Sequence, residues 1–267
     1  MSPPPSAQRD DARVAYEAIA PVYDDFTAHH DFDLWLNNLF PKLEKHGLSG
    51  DLLLDVGCGT GKSFLSMLRR GWKVAGCDIS PAMLGIARQK VGESHAQLVQ
   101  ADMRELPVLG SFDLVWALDD AINYLLSQGE LVNTLEGMRR NLAPRGLLMF
   151  DVNTIKVFRT FFAEEVVVDH GDSRLSWRGL TSPNFQSGSI AEARFSALSK
   201  GEVGTPIIPT ATHRERHFPE RAIIDALKVA GLDCLDVYGH QDDAVPQRPL
   251  DESVHTKAVY IARNRDG

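Results

Sequence analysis

With 267 residues, 43 % of them hydrophobic, the chain has material for one large domain, or a domain with a small cap, and a substantial buried core. Its formal charge of −8 argues against a nonspecific grip on phosphate backbones, which disfavours nucleic acid as a partner. The scattered cysteines Cys58, Cys77 and Cys234 form no CxxC pair and read as free thiols, no apolar run approaches the ~20 residues of a membrane span, and the start has no signal or transit pattern, so the expectation is a cytoplasmic protein without a membrane partner.

Residues 1–11 are proline-rich and polar and read as a frayed tail. From Ala12, the sequence ARVAYEAIAPVYDDF spaces apolar residues helically around Tyr16, Ile19 and Val22, and Pro21 predicts a break into two short helical pieces. Asp31 to His46 is a second amphipathic segment, with Phe32, Trp35, Leu36, Leu39 and Leu43 on one side, and it completes a helical lead-in over 12–50. Leu52, Leu53 and Leu54 form the apolar run of a strand buried on both faces; Asp55 ends it, Gly57, Gly59 and Gly61 follow, and a helix runs from Lys62 to Arg70.

Strands are then predicted at Lys73 to Cys77, Ala96 to Gln100, Phe112 to Leu118 and Leu147 to Val152, with helices at Pro81 to Val91 and Gln128 to Leu142. Ser80 and Pro81 suit the cap and first turn of the first of these helices. Short links between consecutive strands imply a parallel sheet with right-handed crossovers. Over 155–215 the alternating stretches VVVDH, RLSWRG and AEARFSAL, joined by TATHRERHF, predict antiparallel strands standing outside that sheet as an inserted, substrate-binding lid. A helix at Pro219 to Gly231 and strands at Leu232 to Tyr238 and Thr256 to Ala262 return to the main domain, which therefore comprises 51–154 and 216–267.

The glycine turn is the predicted ligand site. Glycine serves where backbone takes positive φ or lies against a ligand, and the following helix N-terminus adds unpaired N–H groups. Three nucleotide-binding patterns compete for it. The GxxxxGK[ST] phosphate loop needs a glycine where Val56 stands, and the GxGxxG dinucleotide fingerprint needs one where Lys62 stands. The observed spacing is DVGCGTG. Asp78 closes the second strand, where a carboxylate can bond both hydroxyls of a ribose, and Asp102 closes the third, within reach of an adenine amino group. In an open α/β sheet such strand ends line one crevice.

Taken together, Asp55-Val56-Gly57-Cys58-Gly59-Thr60-Gly61, Asp78-Ile79-Ser80 with Met83-Leu84, Ala101-Asp102-Met103, Phe112-Asp113 and Leu142-Ala143-Pro144-Arg145-Gly146 resemble the successive motifs of class I S-adenosylmethionine-dependent methyltransferases. Arg145 stands where that family usually has a further glycine. The resemblance covers about residues 12–153 and the closing strand pair. It implies a Rossmann-like seven-stranded, mostly parallel sheet with helices on both faces and an antiparallel last strand. It also implies S-adenosylmethionine as cofactor, with Gly57 and Gly59 passing the methionine moiety, Asp78 on ribose and Asp102 with Met103 framing adenine, and no metal. The full cofactor-binding set expected on this basis adds Tyr23, Trp35, Asp55, Cys58, Ile79, Met83, Ala101, Leu118 and Asp119. Within the family, Tyr16, Tyr23-Asp24 and Asp120 to Leu125 resemble enzymes acting on amino sugars, glycine-like amines and natural-product scaffolds. This implies a small-molecule acceptor, with nitrogen favoured over oxygen or carbon; the alternative is a binding or regulatory protein that keeps the cofactor pocket without transferring methyl, and a homodimer is left open.

Methyl transfer from a sulfonium is an in-line displacement, so the protein chiefly aligns the reactants and removes water, and an acid or base assists without being obligatory. Candidates for catalysis are Tyr23, Tyr16, Asp119 and His213, and for substrate contact Tyr16, Asp120, Asn123, Tyr124, Trp177, Arg178, Glu215 and His217. Each has a plainer alternative: the tyrosines can be helix packing, Asp119 and Asp120 a solvated helix start, Asn123 and Tyr124 the opening of the next helix, and Trp177 and Arg178 packing of the lid. His213, Glu215 and His217 share one strand face, but a single strand supplies no complete metal site, and the alternative is a surface charge ladder. His29 and His30 read as surface residues.

Overall fold

The computed structural model describes residues 5–92, 96–201, 204–241 and 243–265, with nothing said of the side chains of 5–10. The leucine run becomes strand β1 (Leu52–Val56), which pairs in parallel with β2 (Lys73–Asp78) on one side and β4 (Phe112–Ala117) on the other. With β3 (Ala96–Gln100), β5 (Leu142–Asn153), β10 (Leu232–His240) and β11 (Lys257–Asn264), the sheet order is β10-β11-β5-β4-β1-β2-β3. Only β11 runs against its neighbours, pairing antiparallel with both β5 and β10. The Rossmann-like fold with an antiparallel strand is therefore as expected.

Alternation along the strands sorts the core into two layers. Leu54, Val56, Val115 and Phe150 pack against helices α5 (Gln128–Arg140) and α7 (Glu220–Val229), whereas Leu53, Leu114, Trp116 and Met149 pack against α2 (Phe32–Lys45), α3 (Lys62–Arg69) and α4 (Pro81–Val91). The expected Ser80 cap is present, accepting from a backbone N–H at the start of α4; the structure adds Asp31 as the cap of α2 and a capping box of Ser127 with Glu130 on α5. Arg145 is exposed, so its departure from glycine meets no obstacle, while a Cβ at Gly146 would sit 2.6 Å from the Phe112 carbonyl.

Between β5 and α7 the chain leaves the sheet. Helix α6 (Ile155–Arg159), not anticipated from the sequence, leads to a four-stranded antiparallel sheet in the order β6 (Glu165–His170), β7 (Ser173–Gly179), β8 (Ile190–Ser199) and β9 (Ala211–Arg216). Its inner face shares a core with helix α1 (Pro5–Phe26): Ala15, Ile19 and Val22 meet Leu175, Trp177 and Phe195. This packing corrects two expectations. Pro21 does not split α1, since the proline is exposed and the buried residues on either side hold the helix together despite the missing hydrogen bond. The helix also starts at Pro5, inside the stretch expected to be a tail.

Candidate active site

The carboxyl ends of β1, β2, β3 and β4 open onto a cleft of about 700 Å³, part of it open to solvent. Gly57 and Gly59 line it with φ of 75° and 53°, and a Cβ on Gly57 would stand 3.1 Å from that of Ala121, so both the turn and its clearance depend on glycine. Asp78 lies opposite. Its carboxylate accepts from the N–H of Gly59 and of Ser80, each at 2.8 Å, which fixes the acid against the glycine turn. Burial raises its pKa from the ordinary value, with those N–H groups opposing the shift. Asp102 also lines the cleft, but Arg104 forks onto its two oxygens at 2.8 Å, so it faces the cleft as half of an ion pair.

Among the described residues, the turn after β4 holds two of the three non-glycine residues with positive φ. Asp119 and Asp120 take φ of 63° and 57°, the left-handed region twice in succession without glycine. Asp151, fully buried on β5, holds them there by accepting the N–H of Asp119 at 2.6 Å and of Asp120 at 3.0 Å. Lys257 on β11 lies 3.1 Å from Asp151, 3.8 Å from Asp119 and in direct contact with Asp120. His30, from the loop between α1 and α2, bonds Asp119 at 2.9 Å. Burial pulls the Asp119 pKa upward, but His30, Lys257 and Lys62 outweigh it and keep the acid ionised. Asp120, buried between Asp119 and Asp151, is raised to about 7 despite Lys257.

A larger chamber of about 1810 Å³, part of it open to solvent, adjoins the cleft and shares Tyr16, Tyr23, Asp119 and Tyr124 with it. Tyr16 packs between Tyr23 (ring centroids 6.1 Å) and Tyr124 (5.0 Å), and the Tyr124 hydroxyl meets His213 Nδ1 at 2.8 Å. Burial lowers the His213 pKa to about 4, which leaves its imidazole neutral at pH 7, and burial likewise pushes the Glu215 carboxyl upward. Glu215 takes a hydrogen bond from Asn153 Nδ2 at 3.0 Å. Helix α1 is clamped over both cavities: Lys62 Nζ donates to the Thr27 carbonyl at 2.5 Å and Thr60 Oγ1 to Asp24 at 2.6 Å. Lys62, half of the tempting phosphate-loop pair, is thus a tie to α1, and its neighbour Ser63 donates to Asp55 at 2.5 Å.

The structure brings most of the predicted residues to these cavities, but not all. Ile79, Ala101, Met103 and Leu118 line the cleft with the glycines, Asp78 and Asp102. Trp35 lines the chamber and not the cleft. Asp55 is buried beneath the glycine turn with its pKa raised to about 7 by burial, and Cys58 and Met83 are packed into the core, so none of the three reaches the cleft lining. Asp120, Tyr124, Trp177, His213 and Glu215 line the chamber. Asn123 does not: buried, it donates to the Arg216 carbonyl and accepts from Asn153 N–H, bracing the turn after β4 to β9 and β5. Arg178 alternates outward and pairs with Glu165 at 3.1 Å in solvent. His217 is buried with Ser187, Gly188 and Glu252, away from the chamber. His29 is exposed as expected and His30 is half-buried, and both also line the chamber.

A methyltransferase-domain profile matches residues 53–146. The putative methyltransferase YqeM of Bacillus subtilis is 30 % identical over 233 residues, which is 86 % of this chain and 92 % of that protein. The chain belongs to the class I S-adenosylmethionine-dependent methyltransferases. A solved methyltransferase of this type from Clostridium acetobutylicum shares the fold with a TM-score of 0.76 at 21 % identity, over 93 % of this chain and 98 % of that one. The sugar N-methyltransferase KedS8 of Streptoalloteichus shares it at 0.68 and 23 %, over 91 % and 93 %.

The cofactor of this methyltransferase is accordingly S-adenosylmethionine, and the cleft fits it. The glycine turn leaves bare backbone where a Cβ would intrude, the Asp78 carboxylate retains lone pairs toward the cleft, and Ile79, Met103 and Leu125 supply apolar surface. What sequence reading missed is the support of the methyltransferase's turn after β4. Asp151, Asn153 and Lys257 come from β5 and β11, and no local pattern marks them; the paired φ values appear only in the fold.

Proposed function

We propose that this methyltransferase acts on a small-molecule acceptor held in the chamber and that the methyl group goes to nitrogen. The observation that supports this most is the seam at Tyr16, Tyr23, Asp119 and Tyr124, residues that line both the cofactor cleft and the adjoining chamber. When bound, the cofactor supplies an electrophilic methyl group: the acceptor lone pair forms the new bond to carbon as the carbon–sulfur pair stays on sulfur. Gly57 and Gly59 lie along the methionine part, Asp78 takes the ribose hydroxyls, and Met103 with Asp102 borders the adenine. Asp119, ionised at the seam, favours a cationic partner and draws in an ammonium group. His213, neutral and bonded to Tyr124, and the tyrosine hydroxyls are placed to relay the proton that the amine gives up. The tyrosine rings and clamped α1 keep water out.

The reading is tested by incubating the full chain with S-adenosylmethionine and matched small amines and alcohols, and locating the new methyl by mass spectrometry. Methylated amine is the expected product; methylation confined to hydroxyl or carbon acceptors would refute the choice of nitrogen.

A further inference from the structure

The chamber has two unlike ends. At the seam it is polar, with Asp119, Asp120, His213, Glu215 and Lys257. The wall that the inserted segment contributes is mainly apolar, with Phe161, Val166, Val168, Trp177 and Phe195, joined by Phe26 of α1; Thr160 is its polar neighbour, and Trp177 reaches back to His213 with ring centroids 5.1 Å apart. Trp177 lies nearly parallel to Phe161 (centroids 5.1 Å, planes 23° apart) and to Phe26 (6.4 Å, 19°). Each of these two phenyl planes is close to that of Trp177, so the wall offers stacked aromatic faces against which a further flat ring can pack.

Within this lining, four buried polar atoms have no partner among the described residues: Trp35 Nε1, Trp177 Nε1, His213 Nε2 and His240 Nε2. Indole N–H can only donate. His240 Nδ1 faces the Gln241 carbonyl at 2.7 Å, and because a carbonyl only accepts, the proton sits on Nδ1 and leaves Nε2 as a bare acceptor. Trp35 and His240 are neighbours, with centroids 5.4 Å apart. Buried polar groups are ordinarily satisfied, so these atoms describe what an occupant brings: acceptor oxygens toward two indoles, a donor toward His240, and a polar atom of either kind toward His213 at the seam.

We infer that the acceptor is a planar, largely apolar ring system carrying carbonyl or similar acceptor oxygens, rather than a polyhydroxylated sugar. This rests on the small-molecule reading above and narrows it. A sugar would press its hydroxyls against Phe161, Phe195, Val166 and Val168, which offer no hydrogen bonds, and each would lose its water without replacement. A flat ring gains on the same wall from burial and stacking, and its carbonyls meet the waiting indoles.

The test uses the full chain saturated with S-adenosylhomocysteine, titrated calorimetrically with aminomethyl-anthraquinone, hydroxymethyl-anthraquinone and glucosamine. Both anthraquinones are expected to bind at least about tenfold more tightly than glucosamine. Trp35→Phe and Trp177→Phe, which keep a ring and remove the N–H, should each weaken anthraquinone binding severalfold while S-adenosylhomocysteine affinity, the check on folding, stays unchanged. Tighter binding of glucosamine, or anthraquinone affinity indifferent to both substitutions, would overturn the inference. If one variant loses its cofactor affinity, the other and the wild-type ratio decide. Under S-adenosylmethionine, methylation of the hydroxymethyl compound alone would sink the nitrogen assignment and leave the ring-system inference standing, so the two fail separately.

Discussion

The cofactor cleft and the adjoining chamber are built on different principles. The cleft is made of main chain and strand-end residues: glycines with positive φ, an aspartate braced by two N–H groups, and short motifs contiguous in sequence. The chamber is made of side chains from α1, α2, β5, the inserted sheet and β11, which meet only after folding. A cleft of the first kind binds one ligand for which backbone geometry is the constraint. In a chamber of the second kind, each wall residue can change without disturbing a turn, and that is where a choice of acceptor can reside.

Four substitutions sharpen or break this contrast. The largest effect is expected at the support shared by the two cavities. Asp151→Ala leaves Lys257 short of a partner and releases two N–H groups of the left-handed turn, so it should cost about 3–5 kcal/mol of stability in denaturant unfolding. A loss below about 1 kcal/mol would mean that the turn holds itself. His213 comes next, through pH. The unfolded imidazole takes a proton below its ordinary 6.5, whereas the buried one refuses it until about 4. The stability tied to neutral His213 is therefore complete above pH 6.5 and is lost as pH falls from there to about 4. Relative to His213→Gln, the wild type should lose up to about 3 kcal/mol across that window; a difference that does not change with pH would show that water reaches the ring.

Asp78→Ala should weaken S-adenosylmethionine binding by about 1–3 kcal/mol in calorimetry, and an unaltered affinity would remove the acid from the ribose. Arg178→Ala should do least. Its side chain is 63 % exposed and paired only across the outer face to Glu165, so stability should shift by no more than about 0.5 kcal/mol and turnover should not move. A clear fall in turnover would place Arg178 at the acceptor despite its outward direction.

The same contrast explains what could be read in advance. The strands and helices of the main sheet were legible because buried parallel strands give apolar runs, and because glycines and caps punctuate them; Pro81 to Val91 and Ala96 to Gln100 match the structure residue for residue. Asp78 and Asp102, singled out at strand ends by the same logic, line the cleft, whereas Asp55 faces inward to Ser63 and Arg104 occupies Asp102. In the inserted sheet, alternation correctly put His213, Glu215 and His217 on one face, yet could not tell that the last of them passes beyond the chamber to Glu252. His30 and Lys257 lay outside any motif. Their part is set by β11 and by the loop after α1 arriving beside Asp119, a matter of tertiary approach.

Because Tyr16, Tyr23 and Tyr124 border both cavities at once, the two specificities cannot drift independently along that border. A change there should disturb donor and acceptor kinetics together, while Trp177, Phe161 and Phe195 are free to diversify without touching the donor. New acceptors would then be acquired from the inserted sheet inward, stopping at the tyrosines.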